Sequence, residues 1–263
     1  MSMKPHLNLV KGLGSGTPVV FQHGLCGNAG QTSEAFPIDP RFRMHTLECR
    51  GHGASEAGSL NAFSIKAFAD DVADMVEAEN IASCIVGGIS MGAAISLHLA
   101  VHRPELVKAL VLARPAWVIQ NAPVNMQPNK DIGTLLAQLP PQIAKEKFLA
   151  SDMAKRLAKE APDNLASLIT FFSREPIDVT AALLTSIAND GPGVTEQQVR
   201  ALKIPTLIIA TAQDYVHPLS HADSLHKMIS HSRLVELTPK GVDKAHYVKE
   251  FQTALLNFFE EHA

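Results

Sequence analysis

The chain of 263 residues is expected to fold as one α/β domain, a mainly parallel, doubly wound sheet with helices on both faces and a helical block inserted late. Three observations predict this. Short apolar runs rich in β-branched residues alternate with amphipathic helical runs, the pattern of a parallel sheet. One apolar run, Cys84 to Ile89, ends in a glycine-flanked serine and passes at once into a helical stretch. Between residues 116 and 200 the rhythm breaks, leaving helical patches and prolines but no convincing strand.

In order, His6 to Val10 alternates as a short strand and Gly12 to Gly16 is a turn. Thr17 to Gln22 is a buried strand that empties into the Gly-rich loop His23-Gly24-Leu25-Cys26-Gly27-Asn28, before a short helix around Gln31 to Phe36. Arg43 to Cys49 is the next strand, followed by Arg50-Gly51-His52-Gly53-Ala54-Ser55. From Ser64 to Glu79, Ile65, Phe68, Ala69, Val72, Met75 and Val76 recur at helical spacing, with acids and Lys66 on the other face. The Cys84 strand and its helix end near His102-Arg103-Pro104, and Val107 to Ala113 is another strand. Thr206 to Ala210 resumes the sheet, Leu219 to Ile229 is helical, Arg233 to Leu237 is the last strand and a helix marked by Val248, Phe251, Leu255 and Phe259 closes the chain. The core is therefore expected at 1–115 and 201–263, with 116–200 a helical lid rather than an independent domain.

Composition excludes several classes. A hydrophobic content of 46% and a charged content of 19% describe an ordinary soluble globular chain, expected in the cytoplasm. A net charge of −3 without a Lys/Arg cluster predicts no nucleic-acid partner. Cys26, Cys49 and Cys84 have no metal-ligand spacing and read as reduced thiols. The start, Met1 to His6, carries no apolar leader run. Residues 81–101 are apolar but hold three glycines, three serines and a histidine, so no membrane span is expected. His217 and His221 have i, i+4 spacing, yet Pro218 intervenes and no acidic ligand accompanies them, so no metal is expected.

Ser90 lies inside Gly88-Ile89-Ser90-Met91-Gly92, a G-x-S-x-G sequence at a strand-to-helix turn. A nucleophilic serine must stand proud of the sheet, and so sharp a turn leaves no room for side chains two residues to either side. A serine hydroxyl is a poor nucleophile until a histidine takes its proton, and that histidine needs an acceptor on its other nitrogen. Asp214, after the Thr206 strand, and His246, before the last helix, are the candidates, because loops at the carboxyl ends of parallel strands share one rim. No rival acid follows Val107 to Ala113, where Arg114-Pro115-Ala116 stands.

Four motifs in order, His23-Gly24, Arg50-Gly51-His52-Gly53-x-Ser55, the serine turn, and then Asp214 and His246, make nearly the whole chain resemble an α/β-hydrolase-fold serine hydrolase of the esterase and lactonase kind. Two departures are a short N-terminus, which trims the usual first hairpin to one strand, and Glu48 where aspartate is common. The resemblance implies Ser90 as nucleophile, His246 as base, Asp214 as its orienting acid and an oxyanion hole from the N–H groups of Leu25 and Met91. It implies no cofactor. His23 and His52 are expected to shape loops, and Cys26 to line the pocket or pack.

The lid residues Trp117, Met126, Phe148, Phe171 and Phe172 are expected to line a modest apolar pocket, with Leu135, Leu136 and Met153 beside them. Arg114 and Arg174 either anchor a substrate carboxylate or sit in salt bridges. The expected partner is a small ester or lactone, with a homodimer left open. Carbon–carbon bond hydrolysis of a vinylogous diketone uses a similar triad and stays open, as does a non-catalytic ligand-binding role on the same scaffold.

Overall fold

The structure is a computed structural model that describes residues 4–263, so the expectation placed on Met1 to Met3 lies outside the described residues. Seven strands form one sheet: β1 (Leu9–Lys11), β2 (Thr17–Gln22), β3 (Phe42–Leu47), β4 (Cys84–Ile89), β5 (Val107–Ala113), β6 (Thr206–Thr211) and β7 (Ser232–Leu237). Their spatial order is β1-β3-β2-β4-β5-β6-β7, and every pairing is parallel except β1 with β3. β1 begins later than the alternation at His6 suggested. The N–H groups of His6 and Asn8 are taken by the side chains of Glu56 and Ser55, at 2.8 Å each, and are lost to the ladder. β3 likewise stops at Leu47, because the Cys49 N–H turns to the His23 imidazole at 3.0 Å.

Helices α1 (Ala29–Ala35) and α11 (Lys244–His262) cover one face of the sheet, and α2 (Ile65–Ala78), α3 (Met91–His102) and α10 (Leu219–Met228) the other. α1, α2 and α11 start at a capping side chain: Asn28 accepts from Gly30 N, Ser64 from Ala67 N and Asp243 from His246 N. The α11 face is aromatic, with the Phe259 ring 5.4 Å from both Phe36 and Phe42. Each such fully buried ring stabilises the fold by about 1.5–3 kcal/mol. α3 is buried on nearly all sides, which explains its almost uninterrupted apolar sequence.

The segment after β5 is helical: α4 (Gln127–Gln138), α5 (Pro141–Ala150), α6 (Asp152–Glu160), α7 (Pro162–Ile169), α8 (Ile177–Ala188) and α9 (Glu196–Ala201). α4 to α8 share a small core of their own, in which Ile132, Phe148, Leu157, Leu168, Phe172 and Leu184 are buried. No helix among the described residues is long and apolar enough to cross a membrane.

Register decides what the sheet presents at its rim. Ile89 pairs with Ala113, and the ladder runs one residue further, where Ser90 N donates to Ala113 O at 2.9 Å. Thr211 pairs with Leu237 at the neighbouring ends. The carboxyl ends of β2, β4, β5, β6 and β7 thus release Leu25, Ser90, Arg114, His217 and Lys240 into loops that line one cavity.

Candidate active site

The serine turn is as tight as its glycines suggest. A Cβ on Gly88 would lie 2.6 Å from the Gly92 carbonyl carbon, and one on Gly92 would lie 2.3 Å from Gln22 O. Ser90 itself takes φ 58° and ψ −109°, a left-handed conformation that a residue with a side chain adopts at a cost of about 1–3 kcal/mol. It is 8% exposed and opens on a cavity of about 270 Å³.

Its hydroxyl meets an imidazole, that of His217, with Ser90 Oγ 2.8 Å from His217 Nε2. On the other side of the ring Nδ1 lies 2.9 and 3.0 Å from the two oxygens of Asp214. An ionised carboxylate can only accept, so Nδ1 carries the proton and Nε2 offers its lone pair to the serine. The His217 N–H also donates to Asp214 Oδ1 at 3.1 Å, closing a turn that holds acid and imidazole side by side.

The structure sets His217, not the expected His246, against the Ser90 hydroxyl. His246 does not stand at Ser90. Asp243 caps α11 and accepts from the His246 N–H at 2.9 Å, so His246 lies in the first helical turn. Its exposed side chain points along the helix to Glu250, 3.1 Å away. The loop between β7 and α11 brings Lys240, not a histidine, to the cavity.

Arg114 completes the chain. Its Nε and Nη2 donate to Asp214 Oδ2 at 2.9 and 2.6 Å. Burial by itself would raise the Asp214 carboxyl, but the Arg114 charge and then His217 outweigh it and hold the group well below the usual carboxylate range. Burial lowers the His217 imidazole from its ordinary value; Asp214 pulls it up in part, and Arg114 pushes it down again. His217 is thus a neutral acceptor at neutral pH.

Two backbone donors are free beside the serine. Gly24, Cys26 and Gly27 use their N–H groups on Gln31 Oε1, His52 Nε2 and Gly24 O, whereas the Leu25 N–H has no acceptor among the described residues. Met91 is the first residue of α3, so its N–H has no intrahelical partner. His23 and His52 shape these loops. Each accepts a backbone N–H at Nε2, from Cys49 and Cys26, and donates from Nδ1 to a carbonyl, that of Gly24 and Arg50. Burial depresses both, His23 to about 4. Burial also pushes the Cys26 thiol up to about 12, so it stays protonated.

Of the expected lid residues, Met126 and Phe171 line the cavity. Trp117, Phe148 and Phe172 do not. Trp117 is 2% exposed and donates to Asp190 O, while Phe148 and Phe172 pack ring to ring inside the helical block. Arg174 is spent on structure, donating to Gly51 O, Thr180 Oγ1 and Cys26 O. Among the described residues no group of three or more His, Cys, Asp or Glu could hold a metal ion. Sequence reasoning missed His217 by weighing it only against His221; the signal was Asp-x-x-His, whose turn puts both side chains on one side.

Residues 17–242 match the family described as the alpha/beta hydrolase fold. BpoC of Mycobacterium tuberculosis is 29% identical over 94% of this chain and 95% of its own length. Among solved structures, a thermophilic esterase from Thermogutta terrifontis covers 98% of this chain and 95% of its own with a TM-score of 0.77 and 17% identity. The enol-lactonase from Burkholderia xenovorans LB400 covers 97% and 96% with a TM-score of 0.74 and 19% identity. At these identities the two structures speak to fold.

Proposed function

The chain belongs to the alpha/beta hydrolase fold family, and on that premise we propose that it is a serine hydrolase that cleaves a small carboxylic ester, open-chain or cyclic, through an acyl-enzyme. The observation that carries the reading is the unbroken line Ser90 Oγ, His217 Nε2 and Asp214 at 2.8 and 2.9 Å beside a small cavity. Ser90 attacks the carbonyl carbon as His217 takes its proton. The oxyanion sits against the Leu25 and Met91 N–H groups, each such donor being worth on the order of 10²–10³ in rate. His217 then protonates the leaving oxygen, activates a water against the acyl carbonyl, and returns the proton to Ser90 as the acid departs. Asp214 stays ionised throughout and balances the transient imidazolium. The structural likeness to an esterase and to an enol-lactonase is in keeping with both forms of substrate.

A fluorophosphonate probe is expected to label the protein at Ser90, and p-nitrophenyl acetate to be hydrolysed, with Ser90→Ala abolishing both. Wild-type protein that neither takes the label nor releases p-nitrophenol would end this reading in favour of a ligand-binding role.

A further inference from the structure

The loop that carries Asp214 and His217 is tied down at one residue. β6 ends at Thr211, and over residues 212–217 only Val216, among the described residues, bonds its backbone to another element. Both of its partners are asparagine side chains from the helical block. Asn164, in α7, accepts the Val216 N–H on Oδ1 at 2.9 Å. Asn125, in the turn before α4, donates from Nδ2 to Val216 O at 2.6 Å. The same nitrogen donates to Ala116 O at 2.9 Å. Asn125 therefore fastens the His217 loop to the loop after β5, where Arg114 lies two residues before Ala116. Asn125, Asn164 and Val216 are all buried, so bulk water offers no substitute for either amide. A buried backbone group that loses its partner is costly, and a loop without other ties moves to find one. The imidazole next to Val216 would move with it, and a displacement of about 1 Å at a reacting group costs about 10² in rate. Asn125 does not line the cavity, so any effect it has on turnover passes through the two loops it joins.

We propose that Asn125 and Asn164 are positioning residues for the hydrolysis. By holding both backbone groups of Val216 they set His217 Nε2 against Ser90 Oγ, so the helical block assembles the site as well as roofing it. The proposal rests on the serine-hydrolase reading with His217 as base and adds to it the side chains that place that base. The two roles are opposite in sign: Asn125 acts as a donor and Asn164 as an acceptor. Aspartate has the shape of asparagine but, when ionised, only accepts. Asn164→Asp thus keeps an acceptor for the Val216 N–H, whereas Asn125→Asp sets a carboxylate against two carbonyl oxygens.

The test is p-nitrophenyl acetate hydrolysis by Asn125→Ala, Asn125→Asp, Asn164→Ala and Asn164→Asp, beside Ser90→Ala and His217→Ala. Each variant is checked for folding by thermal unfolding and read at the pH plateau of kcat, which removes any shift in the His217 pKa from the comparison. Asn125→Ala, Asn125→Asp and Asn164→Ala are expected to lose about 10² in kcat, with KM held within about threefold. Asn164→Asp is expected to keep kcat within about threefold of the wild type. If Asn125→Ala does not fold, the two Asn164 variants decide the matter by the same contrast. A folded Asn125→Ala or Asn164→Ala with near wild-type kcat, a loss confined to KM, or equal losses in the two Asn164 variants overturns the proposal and leaves the serine-hydrolase reading intact. Turnover that survives Ser90→Ala or His217→Ala overturns both.

Discussion

Arg114 places two N–H donors on one oxygen of Asp214, Oδ2, while Oδ1 accepts the backbone N–H of His217 and the His217 ring reaches both oxygens. The guanidinium therefore fixes the carboxylate plane that in turn orients the imidazole. It also opposes the imidazolium electrostatically, since Arg114 and protonated His217 would be like charges on either side of one acid. Arg114 holds Asp214 in place at some cost to the charged form of His217.

Removing Arg114 separates those effects. Arg114→Met leaves a buried carboxylate without its partner and is expected to destabilise the fold by about 3–5 kcal/mol. His217 loses a repelling cation, so its pKa rises and the acid limb of kcat/KM moves to higher pH. Thermal unfolding together with a pH–rate profile checks both. A limb that stays in place or moves to lower pH would contradict the electrostatic part, and Arg114→Lys should retain part of the wild-type behaviour.

The two histidines give a sharper contrast. His217→Ala is expected to reduce kcat on p-nitrophenyl acetate by about 10⁴ or more, as removal of a base from such a triad does. His246→Ala breaks only an exposed helix pair with Glu250, worth at most about 0.5 kcal/mol, and should leave kcat within about twofold. The reverse ranking would return the base to His246 and require α11 to unwind at its start.

That contrast also marks how far the residues could be read in advance. The strand-to-helix turn was legible because Gly88 and Gly92 are forced by close approach, and the parallel order followed from the alternation of apolar and amphipathic runs. Asp214 was legible as an acid on the rim. The histidine that meets Ser90 was not, because chain order favours the one before the last helix, while Asp243 caps that helix and puts His246 inside it. Trp117, Phe148 and Phe172 show a second limit: periodicity identifies an apolar face, but whether it meets a cavity or a neighbouring helix depends on packing.

Acid should unfold the protein in two stages. Burial lowers the folded-state values of His23, His52 and His217, so the unfolded chain binds more protons as pH falls. Their contribution is complete above about 6.5, the unfolded histidine value, and drains as pH drops towards the folded values. For His23, whose folded value is about 4, the loss amounts to about 3 kcal/mol. Asp214 and Glu48 are depressed carboxyls, and their contribution is present above about 4 and is lost only below that. Urea midpoints measured from pH 7 to pH 3 should therefore begin to fall near 6.5. A midpoint flat down to pH 5 would mean that the buried imidazoles are charged or relieved in the folded state.

The serine turn should show its cost directly. At φ 58° a side chain strains the backbone, and glycine does not. Ser90→Ala and Ser90→Gly both remove the hydroxyl and should both abolish turnover, so activity cannot tell them apart. Stability can. Ser90→Ala keeps a Cβ in the left-handed conformation, whereas Ser90→Gly releases it. Glycine pays back part of this gain through the greater freedom of its unfolded chain, about 0.4–1 kcal/mol. The net expectation is that Ser90→Gly is the more stable variant by about 1 kcal/mol, a rise of roughly 2–4 °C in Tm for a chain of this size. If Ser90→Ala proves as stable as Ser90→Gly, the turn holds no strain, and the exposure of the hydroxyl would have to come from the packing of Gln22, Gly88 and Gly92 alone.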